Sequence, residues 1–306
     1  MIDFRYFLVS IVAIFFALAI GIVLGSGPLE GNINDAIKGT NEQLAAEKKA
    51  LQADIVVLED GMAASQDYAA GVQPLVVSSQ LTGQTVAVVL LPGGSDSQLE
   101  SAVAAIEASG ARIGSTVRLT DAWSDPEQQD LLSRVAEGLD KGETSSIGAV
   151  AGGQALADAL VTTSGGNRVD PTGVSVVTGL AEAGFVDVAD PRELRPASLA
   201  LVVAPDGDPD SALTEAYLPL IEALDSDGRG VVVGGAEPAT LEGGMIQTVR
   251  TSDLADAVST VDDLDLSMGA GTVLLALVQQ LQGGVGQFGL HTGAEAVVPE
   301  QSADGS

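Results

Sequence analysis

The sequence predicts an α/β protein carried on a single membrane-spanning helix. Three observations predict it. An uncharged run from Tyr6 to Leu29 covers 24 residues, and a helix of that length reaches about 36 Å against a hydrocarbon core of about 30 Å. Apolar residues then recur every seventh position across residues 31–68. From residue 84 onward, short β-branched runs alternate with helical stretches of 10–15 residues, which implies βαβ units and a mostly parallel sheet of Rossmann or flavodoxin type.

The anchor comes first. Its exit, Gly25-Ser26-Gly27-Pro28, offers no small-residue cleavage site, and the apolar run is longer than that of a secretory signal. An uncleaved signal anchor is therefore expected over residues 1–30. Arg5 precedes the run, whereas Glu30 and Asp35 follow it before the first distal base, Lys38. The positive-inside rule places the N-terminus in the cytoplasm and the remainder outside. Ala13, Ala17, Gly21 and Gly25 recur at every fourth residue, and the last two close a GxxxG pattern. Small residues spaced this way let helix backbones approach in lipid, though Ala and Gly are common in membrane helices without any such role.

Residues 31–70 follow as a long helix of coiled-coil character. Ile37, Leu44, Leu51 and Leu58 take d positions, and Asn34, Asn41, Lys48, Ile55 and Met62 take a positions. The polar a residues weaken the membrane end of the seam while fixing register. One amphipathic helix packed on its own domain would give the same pattern. Gly71 and Pro74 are expected to end it.

The α/β domain spans 71–290. Strands are expected at 85–91, 111–119, 147–151, 199–204, 230–234 and 246–249. Helices are expected at 95–109, from Pro126 to about Asp140, at 154–163, from Asp208-Pro209 to Asp225, and at 266–282. The near-continuous apolar strands suit a sheet covered on both faces. Residues 283–306 are Gly-rich and then acidic, and 291–306 read as a disordered tail.

Composition narrows the chemistry. The chain has 13 Lys and Arg against 42 Asp and Glu, a net charge of −29. Such a surface repels nucleic acid and anionic lipid heads. There is no Cys, which excludes disulfides and thiolate chemistry, and His291 is the single histidine. No catalytic constellation, cofactor site or metal site is expected. Three Gly-rich turns, at Pro92-Gly93-Gly94, Ala151-Gly152-Gly153 and Gly234-Gly235-Ala236, complete neither GxGxxG nor a P-loop. Asp206-Gly207-Asp208-Pro209-Asp210 opens like an EF-hand loop but has Ser211 at its sixth position and Tyr217 at its twelfth. Asp262, Asp263 and Asp265 read most simply as a solvated turn.

The opening Met1-Ile2-Asp3-Phe4-Arg5-Tyr6, the anchor's close at Gly21-Ile22-Val23-Leu24-Gly25-Ser26-Gly27, the run Val258-Ser259-Thr260-Val261-Asp262-Asp263 and Gly286-Gln287-Phe288-Gly289 resemble the mycobacterial copper transport protein B (MctB) family. That family includes the SteB-type division proteins of corynebacteria. The resemblance implies two functions. One is copper efflux through an outer-membrane pore. The other is a division role, in which the chain pairs with a SteA-like membrane protein and helps control a peptidoglycan hydrolase.

The residues bear on that choice. Copper sites draw on Cys, Met and His, and Met stands only at 1, 62, 245 and 268. A pore needs several helices or a closed barrel. The expectation is therefore a non-enzymatic envelope scaffold at the plasma membrane. Partner contacts fall to Ala13, Ala17, Gly21 and Gly25 on the anchor and to Leu44, Leu51, Ile55 and Leu58 on the seam. Copper transport at an outer membrane, or a small-ligand-binding α/β module, is the alternative.

Overall fold

The computed structural model describes residues 4–25, 29–138, 147–163 and 169–300. The chain divides into two compact units, Met1–Ala64 and Ser65–Ser306.

Two helices begin the chain: α1, Phe4–Gly25, and α2, Leu29–Val77. The window Arg5–Val23 is long and apolar enough to cross a membrane, with a mean hydropathy of 2.8 and none of it buried. The exit residues 26–28 lie outside the described residues. Helix α2 runs past Gly71 and Pro74, where an end was expected. Proline removes one donor and clashes one turn back, yet here the helix closes three residues beyond it.

The second unit is built on a seven-stranded sheet. Its elements in order are β1 (Thr85–Leu90), α3 (Asp96–Ala108), β2 (Arg112–Leu119), α4 (Gln129–Ala136), α5 (Gly148–Leu160), α6 (Pro171–Glu182), β3 (Val186–Asp187), β4 (Leu199–Val203), α7 (Ser211–Glu215), α8 (Leu218–Asp227), β5 (Val231–Gly234), α9 (Met245–Thr251), β6 (Ser259–Val261), α10 (Gly269–Leu281) and β7 (Gln287–Phe288). Strand order is β3-β2-β1-β4-β5-β6-β7. Every pairing is parallel except β2 with β3. The sheet is thus α/β and mostly parallel, as expected.

Alternation along the strands builds two cores. Val86, Val88 and Leu90 of β1 join Leu199, Leu201 and Val203 of β4 under α3 and α10. Ala87 and Val89 join Ala200, Val202, Val231 and Val233 under α5, α6, α8 and α9. Burial of both faces explains why these strands read as continuous apolar runs.

Three stretches depart from expectation. Residues 147–151 begin α5 rather than forming a strand. Its Gly152 and Gly153 permit close approach: a Cβ on Gly153 would fall 2.8 Å from the backbone nitrogen of Leu220 on α8, and one on Gly152 would meet Leu132 of α4 at 2.8 Å. A glycine-rich helix wedged between two others looks locally like a turn. Residues 246–249 are likewise helical, in α9. Residues 287–288, in a Gly-rich stretch where no strand was expected, supply β7. Beyond them Glu295 N donates to Gln287 O, and Ala296 bridges Phe288. Residues 301–306 of the expected tail lie outside the described residues, as does the 139–146 segment at the expected end of α4.

The crossovers do not share one hand. β1-α3-β2 steps toward the β3 edge with α3 on one face. β4-α8-β5 and β5-α9-β6 step toward the β7 edge with their helices on the other face. Reversing both direction and face preserves the hand. β6-α10-β7 steps toward the β7 edge with α10 on the α3 face, so its hand is opposite. Parallel crossovers of the minority hand are about 2% of cases. This one ends in a strand paired through only two registers, Thr260 with Gln287 and Val261 with Phe288.

Candidate functional site

Three places concentrate chemistry or exposed apolar surface. The first is the helical unit. Ala13, Ala17, Gly21 and Gly25 are exposed on α1, and a Cβ built on Gly21 or Gly25 meets nothing within 4 Å. On α2 the seam residues are equally bare: Leu44 is 57% exposed, Leu51 62%, Ile55 52% and Leu58 71%. Ile37 and Met62 extend the exposed stripe at both ends. The side chain of Asn34 lies outside the described residues. Leucines left this open on a long helix contribute nothing to stability until something covers them.

The second place is the carboxyl end of the sheet. Strand order reverses between β1 and β4, and ligands on such sheets bind at that switch point. A cleft of about 200 Å³ opens there, lined by Pro92, Asp121, Pro205, Asp208, Tyr217 and Met245 among others. Its mouth is stitched by a bridge between Gly94 and Pro205 and by Asp206 N donating to Gly93 O at 2.9 Å. The Tyr217 hydroxyl donates to Ser124 Oγ at 3.2 Å. Burial pushes its pKa upward, and the nearby Asp121 charge adds to the shift. The EF-hand-like segment sits on this rim. Asp210, rather than Asp208, caps a helix, accepting from Ala212 N at 3.0 Å and Leu213 N at 3.4 Å. That helix is α7, and the chain turns at Ala216 and Tyr217 before α8 begins. Gly152 and Gly153 lie inside α5, so only two of the three Gly-rich runs are turns at strand ends. Among the described residues no group of three or more His, Cys, Asp or Glu is placed to hold a metal ion.

The third place corrects an expectation outright. Asp262 and Asp263, read as a solvated turn, are both fully buried. Thr260 and Asp262 point to the α9 face of β6. There Arg250, with 6% of its side chain exposed, gives Nε to Thr260 Oγ1 at 2.8 Å and an Nη to Asp262 Oδ2 at 2.8 Å. The same guanidinium reaches Phe288 O and Thr292 O, both at 3.0 Å. The other Asp262 oxygen accepts from Leu290 N at 2.7 Å and His291 N at 3.2 Å. On the opposite face Gln280 Nε2 donates to Ser259 Oγ at 2.9 Å, as does Gly286 N at 3.2 Å. The network clasps β7 and the following segment to β6.

Asp263 stands apart from this network. Neither carboxylate oxygen has a hydrogen-bond partner. Burial, then the Asp262 charge, pushes its pKa from 3.8 to about 6. Sequence reasoning missed both roles, because three aspartates close together look like a surface turn. Arg250 was the available signal: among so few bases, one inside an apolar stretch invites a buried partner.

With this geometry in view, the comparisons with known proteins are specific. A family model described as "Copper transport outer membrane protein, MctB" matches residues 1–299. The chain is 27% identical over 318 aligned residues to the Copper transporter MctB of Mycobacterium tuberculosis (strain ATCC 25618 / H37Rv), covering 98% of this chain and all of the relative. The same identity and coverage hold for that of Mycobacterium bovis, and the Mycobacterium leprae protein is 26% identical over 317. The match runs from the apolar helix through α2, the switched parallel sheet and the clasped β7 without a missing part, and the chain belongs to the MctB family.

Proposed function

We propose that the chain is a non-enzymatic, membrane-anchored envelope protein. In this reading α1 is an uncleaved anchor with its N-terminus in the cytoplasm, and the α/β unit lies outside the plasma membrane. It serves as a scaffold that pairs with a SteA-like membrane protein in cell division and in control of a peptidoglycan hydrolase. The observation that carries this reading is the open stripe on α2. Four apolar seam residues, each more than half exposed, follow directly on a helix fit to cross a membrane. A partner helix rooted in the same bilayer would run parallel to α2 and cover them.

The test uses the full chain. Leu51→Asp with Leu58→Asp reduces recovery of the SteA-like partner in a pull-down by roughly tenfold or more, since two desolvated leucine layers are worth well over the ~1.4 kcal/mol of one decade. Melting of the α/β unit stays within about 1 °C, because both side chains are exposed. Gly21→Ile with Gly25→Ile lowers recovery separately if the small face of α1 also makes contact. Unchanged recovery with the aspartate pair sinks the seam reading.

A second reading, copper handling, is favoured by the names of the relatives. A deletion strain that holds no more copper than its parent removes it; return of copper to the parent's level on complementation with the Leu51→Asp, Leu58→Asp chain would separate copper handling from the seam.

A further inference from the structure

We propose that Asp263 is a proton-sensitive latch for the C-terminal segment of the α/β unit. Protonated, it rests buried next to Asp262, on the opposite face of the chain from Arg250. Ionised, it sets two adjacent buried carboxylates against one guanidinium and loosens the segment that Asp262 and Arg250 hold.

The argument starts from satisfaction. Asp262 uses both oxygens, one on Arg250 and one on the amides of Leu290 and His291. Arg250 spends its donors on Asp262, Thr260, Phe288 O and Thr292 O. Nothing in this set is left for Asp263, which is fully buried with both oxygens unpartnered. A buried carboxylate in that position avoids its desolvation cost by keeping its proton. The charged groups around it are few. Asp262 and Asp265, on the same β6-α10 loop, raise its pKa, and His291 on the C-terminal segment lowers it. Arg250 of α9 is bonded to Asp262 and acts on Asp263 only through it.

The sign follows from which state holds the proton more tightly. The folded pKa is raised, so the latched state keeps a proton that the opened state has lost. Stability of the latched state is therefore greatest below the ordinary value of 3.8 and declines until pH passes about 6. The whole shift corresponds to about a hundredfold in the latching equilibrium.

The weak link is clear from the fold. β7 pairs through two registers only and ends a crossover of the rare hand. When Asp263 charges, the loop can reach water by releasing Asp262, and with it the amides of Leu290 and His291. The segment that then opens carries the exposed Leu290, Val297 and Val298.

Hydrogen exchange on the full-length chain in detergent micelles tests this. Protection factors, corrected for intrinsic exchange, are compared at pH 5.0 and 7.5. At Leu290 and His291 the wild type should lose about tenfold in protection over that interval. Amides of the central strands β1 and β4 should not change. In Asp263→Asn the loss should vanish, and in His291→Gln it should persist. A flat wild-type profile overturns the latch, as does an equal loss in β1 and β4 or an undiminished loss in Asp263→Asn. Should Asp263→Asn fold poorly, the wild-type profile and the contrast between segments decide by themselves.

Discussion

Replacing Arg250 with Met destabilises the α/β unit by about 3–5 kcal/mol, the cost of leaving a buried charge without its partner. The chain of cause is short. Arg250 is the cation bonded to Asp262, and Asp262 is fully buried. Without the guanidinium, Asp262 must take up a proton or drag the β6-α10 loop to water. In the same stroke the carbonyl of Thr292 loses its Arg250 donor and that of Phe288 keeps only the Asp262 amide. For a unit of this size the thermal midpoint should fall by roughly 10 °C. Combining Arg250→Met with Asp262→Asn should recover part of the loss, because the amide removes the stranded charge while its oxygen can still accept from Leu290 and His291. A midpoint within about 2 °C of wild type for Arg250→Met would show that the pair stabilises nothing.

Gly289→Ala should be nearly as damaging, by about 3 kcal/mol or more. Gly289 has φ +128, a backbone region close to forbidden for residues with a Cβ. A methyl built there would collide with the Asp262 carboxylate. Two costs therefore add: backbone strain, and eviction of the carboxylate from Arg250. Urea unfolding followed by tryptophan fluorescence measures it, since Trp123 is fully buried in the α/β core. An unshifted urea midpoint would mean that the turn after β7 can re-form elsewhere.

Much of the architecture was legible along the chain. That α1 is long and apolar enough to cross a membrane follows from length and lack of charge, which no packing needs to arbitrate. β1, β4 and β5 announce themselves because both of their faces are buried, so nearly every position is apolar; β2, with Arg112 and Arg118, is buried in part only. The long helix α2 was legible because Ile37, Leu44, Leu51 and Leu58 recur at seven-residue spacing. The misreadings share a cause. Gly148–Gly153 and Met245–Val249 carry weak local preference, and their helical state comes from packing against α4, α8 and β6. β3, β6 and β7 have two or three residues each, too few for any periodicity.

The candidate sites divide the same way. Ala13, Ala17, Gly21 and Gly25, with Leu44, Leu51, Ile55 and Leu58, were named from spacing, and the structure places all eight on exposed helix surface. The clasp was invisible. Arg250, Asp262 and Gly289 are separated along the chain, and only the opposite-handed crossover of β6-α10-β7 brings them together.

The sequence by itself determined the apolar N-terminal helix, the long helix and the α/β class, because local hydrophobicity and its periodicity decide those. The tertiary structure alone decided the strand order, the hand of the last crossover and the fate of Asp262 and Asp263. An aspartate's charge, partner and proton depend on what the fold packs around it, and a list of neighbours in sequence carries no such information.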